Sequence, residues 1–269
     1  MADERLLDDF LRYRGRPRSR AAPDTQGPDI DQSGSCGFAE RKVTIVSQAS
    51  RGLRRVRGLI ADSPNSLGGR ARARRWEIVD RSFPRLCEQH VLDLGGTVEW
   101  WLRAPVRPAH VTVVNLLEPG ETDESWLTPV VGDACAASSI DGVTAGDYDV
   151  VFSNSLLEHV GGHAQRVRLA EEISALAPKH YVQTPYRYFP VEPHWIFPGM
   201  QFLPIAARSK IAQSWPLSHS AAGSAEEATN TVMWTELVSI TEMRSYFPDS
   251  QIVHERFAGL TKSLIAIRV

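Results

Sequence analysis

Three cysteines in 269 residues leave little room for a covalent framework. Cys36, Cys87 and Cys135 are far apart, with no paired spacing that would suggest a metal knuckle or a disulfide scaffold. No apolar run approaches the roughly 20 residues of a membrane helix. The first twenty residues, MADERLLDDFLRYRGRPRSR, carry acids and arginines where a secretion signal would need an apolar stretch. These absences predict a cytoplasmic protein without a membrane span. Charge of one sign is also scarce overall, because 30 Lys+Arg meet 32 Asp+Glu. The balance is local rather than uniform. Residues 1–75 hold 16 Lys+Arg against 9 Asp+Glu, and the remainder holds 14 against 23. A basic arm can meet phosphates, but a solvated arginine-rich extension explains the same residues, so a nucleic-acid partner is not expected.

What is present is an ordinary globular composition, with 42% hydrophobic and 23% charged residues. Residues 1–40 are broken by Pro17, Pro23, Gly27, Pro28, Gly34 and Gly37 and read as a flexible arm. Residues 41–89 read as a mainly helical extension, with a short strand at 42–47 and a break at 62–69. From residue 90 the pattern changes to β-branched runs alternating with helical stretches. Strands are predicted at 90–94, 110–116, 129–131, 148–153 and 180–183, and a helix at 164–177. Alternation of this kind predicts a parallel sheet covered on both faces. Residues 251–257 and 263–269 predict a closing hairpin joined by 258–262.

The sharpest motif is Val91-Leu92-Asp93-Leu94-Gly95-Gly96-Thr97, a strand running into a small-residue turn. Glycine there lets a ligand approach the backbone. The second strand ends at Asn115, Leu116 and Leu117, followed by Glu118. The third ends in Gly132-Asp133-Ala134, the fourth in Asn154-Ser155 with Leu156-Leu157-Glu158-His159 behind it. Turn and cap preferences explain any one of these polar groups. They explain the ordered set poorly, since ligands of open α/β sheets sit at the carboxyl ends of the strands.

This ordered set resembles the class I S-adenosylmethionine-dependent methyltransferases, in particular a bacterial small-molecule group of the type 11 kind. VLDLGG, VVNLLE, GDA and YDVVFSNSLLEHVG resemble its first four motifs. QTPYRYFPVEPHWIFP and RFAGLTKSLIAIRV resemble a segment after the fifth strand and the closing hairpin. The resemblance covers about residues 70–269. It implies a Rossmann-like, doubly wound, seven-stranded sheet, mostly parallel with an antiparallel C-terminal strand. The methyltransferase domain would span 90–269, with an acceptor-side insertion at about 185–233. The implied cofactor is S-adenosyl-L-methionine, with S-adenosyl-L-homocysteine as product. Asp93, Gly95 and Gly96 would hold its methionyl end, Asn115 with Leu116 its ribose, Asp133 and Ala134 its adenine. Asn154 and Ser155 would lie beside the sulfonium. The chain departs from the group's fuller Asp-x-Gly-x-Gly turn, and Asn115 stands where an acid is usual, leaving Glu118 as an alternative ribose ligand.

The acceptor side is read from residues 185–204. Tyr186, Tyr188, Phe189, Trp195, Phe197 and Phe202 lie there among five prolines, which stiffen the segment. Tyr186, Arg187, Glu192, His194 and Trp195 are the candidate substrate-binding residues. His194 and His159 are the candidate catalytic groups, because a hydroxyl acceptor benefits from a base with a pKa near working pH. A metal is not expected. Asp93, Asp133, Glu158 and His159 show no ligand spacing, and Gly161-Gly162 interrupts the helical register between His159 and His163. The expected partner is a small-molecule or glycan acceptor, O-methylated in the leading reading. An RNA methyltransferase using the basic arm and an inactive cofactor-binding scaffold are the alternatives. A nicotinamide dehydrogenase would want Gly-x-Gly-x-x-Gly at the first turn, which Gly95-Gly96-Thr97-Val98-Glu99 does not supply.

Overall fold

The computed structural model describes residues 67–117, 119–218 and 224–269. The arm at 1–40, the strand at 42–47 and Glu118 lie outside the described residues. In chain order the elements begin with α1 (Leu67–Ser82), β1 (His90–Leu94), α2 (Val98–Leu102), β2 (His110–Asn115) and β3 (Leu127–Val131). They continue with β4 (Val150–Asn154), α3 (Gly162–Leu176), β5 (Lys179–Pro185), β6 (Val191–Glu192) and β7 (Phe197–Pro198). The chain closes with α4 (Ile205–Ser214), α5 (Ala225–Trp234), α6 (Ile240–Tyr246), β8 (Gln251–Phe257) and β9 (Leu260–Arg268).

The main sheet has seven strands in the order β3-β2-β1-β4-β5-β9-β8. The first five are parallel neighbours, while β9 runs antiparallel between β5 and β8. This is the Rossmann-like, doubly wound arrangement. Successive residues of each strand serve opposite faces, as the period of two requires. Val91, Val150, Tyr181 and Ile265 join α1 and α2 in one core, which includes Val79, Phe83 and Trp101. Leu92, Val151, Val182 and Leu264 join α3 and α6 in the other, with Leu169, Ile173, Met243 and Phe247. Burial on both faces is why β1, β2 and β4 read as largely apolar runs.

Element boundaries moved for local reasons. β3 is longer than expected and contains Pro129, which the sheet tolerates because β3 is an edge strand. Gly68 and Gly69 fall inside α1 rather than in the predicted break. The closing hairpin turns on two residues, Ala258 (φ 49°) and Gly259 (φ 82°), so β9 starts at Leu260 instead of 263. The two-stranded β6–β7 hairpin was not foreseen. With α4 and α5 it forms a satellite core of Trp195, Met200, Ala212, Ala228 and Val232.

Candidate active site

The strand order reverses between β1 and β4, since β1 leads outward to β2 and β3 while β4 leads to β5 on the other side. Such a switch point opens a crevice at the carboxyl ends of the strands. Gly95 and Gly96 follow β1 there. Gly95 has φ +87°, and a Cβ on it would come within 2.9 Å of Leu156. A Cβ on Gly96 would sit 1.7 Å from the Asp93 Oδ2. Both glycines are therefore demanded by their neighbours, and the turn presents bare backbone. Asp93 itself is buried and accepts from the Trp101 Nε1–H at 2.7 Å. Burial pushes its carboxyl up to about 7 against the opposing pull of the Trp101 hydrogen bond.

The other strand ends are organised mainly by local bonds. Asn115 donates to the Gly96 carbonyl at 2.9 Å and accepts from the Leu117 N–H at 3.2 Å. The amide thus fastens the end of β2 to the glycine turn, a role that the ribose assignment did not include. Asp133 caps the short 3-10 turn Ala134–Ser139 by accepting from Cys135 N–H at 3.0 Å, and Ala134 is buried behind it. Asn154 accepts from Arg75 at 3.3 Å. Ser155 sits at φ +57° and is pinned to Gln183, whose main-chain and side-chain oxygens accept from its N–H and hydroxyl. The fold brings all these residues to one edge of the sheet.

Arg75 was missed by sequence reasoning. It reaches from α1 to both carboxylate oxygens of Glu255 on β8, at 3.0 to 3.2 Å. Ser263 also donates to Glu255. Burial alone would raise the Glu255 carboxyl, but the Arg75 guanidinium and these hydrogen bonds hold it below its ordinary value. The only trace in the sequence is an arginine one step before Trp76, and nothing there points 180 residues ahead.

On the acceptor side, β6 ends at Glu192 and the hairpin turn carries His194 and Trp195. Glu192 is buried, with one oxygen at 2.6 Å from His194 Nδ1 and the other accepting from Trp195 N–H at 3.0 Å. An ionised carboxylate can only accept, so Nδ1 carries the hydrogen. The His194 Nε2 then faces His159 Nε2 at 3.1 Å, with the rings edge-on at 83°. Glu158 lies beside them, fully buried, with Oε2 accepting from Thr184 and Oε1 without a hydrogen-bond partner. Its carboxyl is raised by burial, partly offset by His194, its own backbone N–H, Thr184 and Arg75.

Three of the candidate substrate-binding residues make structural contacts. Trp195 is 1% exposed and is the centre of the satellite core rather than the wall of an open pocket. Arg187 is engaged with the Leu237 carbonyl at 2.8 Å and with Glu242 at 3.2 Å, so it braces the chain before α6. Tyr186 pairs with Val238 as an isolated bridge and packs against the main core. Along the sequence, Asp93, Asp133, Glu158 and His159 show no metal-like spacing. The fold instead gathers Glu158, His159 and His194, whose ligand atoms all lie within 4.8 Å of one another. His163 stays apart, bonded to Tyr246, because Gly161 (φ 88°) and Gly162 (φ 70°) break the register.

Arg166 is the second residue missed. It is buried on α3 and donates to the Leu157 and Glu236 carbonyls and to the Glu236 carboxylate. With the Glu236 N–H donating to the Glu158 carbonyl, it fixes the segment that holds Glu158 and His159. A helical arginine between Gln165 and Val167 looks like a solvated charge, so no sequence signal marked it.

No family model and no curated protein matches the chain. Several solved structures are similar at low identity. Magnesium protoporphyrin IX methyltransferase from Synechocystis shows 14% identity and a TM-score of 0.46, covering 82% of this chain and 95% of that one. An O-methyltransferase family protein from Burkholderia thailandensis shows 15% identity and a TM-score of 0.42, over 73% of this chain. Phosphoethanolamine N-methyltransferase 2 from Haemonchus contortus shows 15% identity and a TM-score of 0.43, over 68% of this chain. The chain spans 56% of the Burkholderia protein and 38% of the Haemonchus protein.

Proposed function

We propose that this chain is an S-adenosylmethionine-dependent methyltransferase that methylates an oxygen of a small molecule or sugar-containing metabolite. The observation that carries the reading is the placement of the Gly95–Gly96 turn at the switch between β1 and β4, with Asn115, Asp133, Asn154 and Ser155 on the same edge. The residues fit such a cofactor. Bare backbone at the turn suits the methionyl end, with Asp93 beside it, and Asn115 holds that turn in shape. Asn115 and Leu116 would meet the ribose, and Asp133 with Ala134 would meet the adenine. Asn154 and Ser155 would flank the sulfonium. The Nε2 of Gln183 is buried without a hydrogen-bond partner, on the side chain that accepts from the Ser155 hydroxyl, and would add a donor at the reacting end.

The cofactor supplies an electrophilic methyl group, which passes to the acceptor as the carbon–sulfur bond breaks. The protein's own part is to hold the acceptor in line and manage its proton. His194 is the residue for this second task. Glu192 fixes its tautomer and orientation, leaving Nε2 turned toward His159. Its place at the tip of the β6–β7 turn lets it take the proton or orient the hydroxyl. Tyr186, Arg187, Glu192 and Trp195 would then shape the acceptor side from behind, as supports rather than as contacts.

Isothermal calorimetry with S-adenosylhomocysteine tests the cofactor. We expect saturable binding and, at about 100 times the dissociation constant, roughly 2.7 kcal/mol of added stability. No heat of binding at millimolar ligand removes the methyltransferase reading. For the acceptor step, His194→Ala should lower turnover about 10²-fold or more while cofactor affinity stays near wild type.

A further inference from the structure

We infer that Glu158, His159 and His194 form a binding site for a single divalent transition-metal ion, with zinc the best-suited occupant. Two imidazole nitrogens and one carboxylate oxygen converge within 4.8 Å from two separate parts of the chain, the loop after β4 and the β6–β7 turn. Two nitrogens bound to one ion at about 2.0–2.1 Å stand roughly 2.8–3.4 Å apart across octahedral and tetrahedral geometries. The two Nε2 atoms are 3.1 Å apart. Without an ion, one of these nitrogens must carry a hydrogen toward the other. A cation takes the place of that hydrogen and accepts lone pairs from both.

Two further observations point to a ligand. Glu158 Oε1 is a fully buried oxygen without a hydrogen-bond partner, on the carboxylate that clusters with both imidazoles. Burying such an oxygen is costly unless a donor or a cation satisfies it. Glu192 also holds His194 Nδ1 at 2.6 Å, the carboxylate–histidine arrangement that orients a metal-bound imidazole and raises its basicity. Thr184 plays the same part for Glu158, through its hydroxyl at 2.9 Å. The two-histidine, one-carboxylate set suits zinc with a further position open to a ligand. Hard cations such as magnesium prefer all-oxygen sites.

Metal binding itself does not depend on the proposed transferase activity. The ion's use does rest on that reading, since an acceptor oxygen in the open position would be polarised and its hydroxyl acidified. His194 would then act as a ligand and hand proton management to the ion.

The test is zinc calorimetry on the full chain after chelator treatment, with cobalt as a spectroscopic probe. We expect one equivalent of zinc and a cobalt visible band from mixed nitrogen and oxygen ligation. Glu158→Gln and His194→Gln should each weaken zinc at least 100-fold, and Glu192→Gln about 10–100-fold. Circular dichroism and S-adenosylhomocysteine binding report whether each variant is folded. If Glu158→Gln does not fold, the surface-proximal His194→Gln and the wild-type cobalt spectrum decide. No stoichiometric zinc binding by folded wild type overturns the site, as does undiminished affinity in His194→Gln. Zinc binding without S-adenosylhomocysteine binding would instead remove the transferase reading and leave the site standing. The reverse result would remove only the metal.

Discussion

The Nε2 atoms of His159 and His194 lie 3.1 Å apart although 35 positions separate them in the chain. Two backbone features create the approach. Gly161 and Gly162, both at positive φ, hold His159 outside the helix that follows. The β6–β7 turn then carries His194 back over it, with Ile196 at φ 49° completing the reversal. A Cβ on Gly161 would strike the Trp234 ring at 2.3 Å, so the loop also depends on the satellite helices.

Asp93 makes stability pH-dependent. Its folded carboxyl titrates near 7, against an unfolded value of 3.8. The native state therefore keeps a proton that the unfolded chain has lost, and this contribution is full below pH 3.8 and gone above 7. The linkage is on the order of 4 kcal/mol. Asp93→Asn should flatten the stability profile between pH 4 and 7 and be more stable than wild type at pH 8. Urea unfolding at pH 5 and pH 8 checks it, and an unchanged difference between the two would count against a protonated Asp93.

His180 works in the opposite direction. It is buried on β5 with Nε2 at 2.7 Å from Ser250 Oγ, and burial, then Arg268, lowers it to about 4. The unfolded chain takes up a proton first, so stability is lost as pH falls from about 6.5 toward 4. His180→Gln should be less acid-sensitive across that window, as measured by thermal unfolding at pH 4.5 and 6.5.

Arg75→Met should cost about 3–5 kcal/mol, because it leaves the buried Glu255 carboxylate unpaired. The double variant Arg75→Met with Glu255→Met should recover most of that loss. A double-mutant cycle by chemical denaturation gives the coupling, and strict additivity would show that the pair does not interact energetically.

Trp195→Ala should lower stability by about 3–5 kcal/mol, the usual cost of emptying a large aromatic site. Tyr188 is 57% exposed, and Tyr188→Ala should stay within about 0.5 kcal/mol. Thermal melts of the two variants separate the core role from the surface role.

Asp133→Ala removes the cap on Cys135 N–H and should cost about 0.5–2 kcal/mol. If Asp133 also meets the adenine, S-adenosylhomocysteine affinity falls in the folded variant. Calorimetry showing unchanged affinity would leave Asp133 with its capping role alone.

The sequence by itself determined the layered α/β architecture. Strands buried on both faces are rich in apolar and β-branched residues, so strands were expected at 90–94, 110–116, 148–153 and 180–183, and they form at 90–94, 110–115, 150–154 and 179–185. The Gly95–Gly96 turn and the polar strand ends were legible for the same local reason, since turns and caps use few residue types. The closing hairpin was visible too, although its turn was placed too long. Tertiary structure alone decided which polar groups meet. Arg75 finds Glu255 across 180 positions, and Arg166 braces Glu236 across 70. Trp195 and Arg187 looked like pocket residues because aromatic and charged side chains in a proline-rich loop are usually exposed. The satellite helices cover Trp195, and the 236–242 segment engages Arg187. The Glu158–His159–His194 cluster escaped for the clearest physical reason. Its members belong to two loops whose approach depends on backbone turns, and spacing along a chain carries no record of a contact that only folding makes.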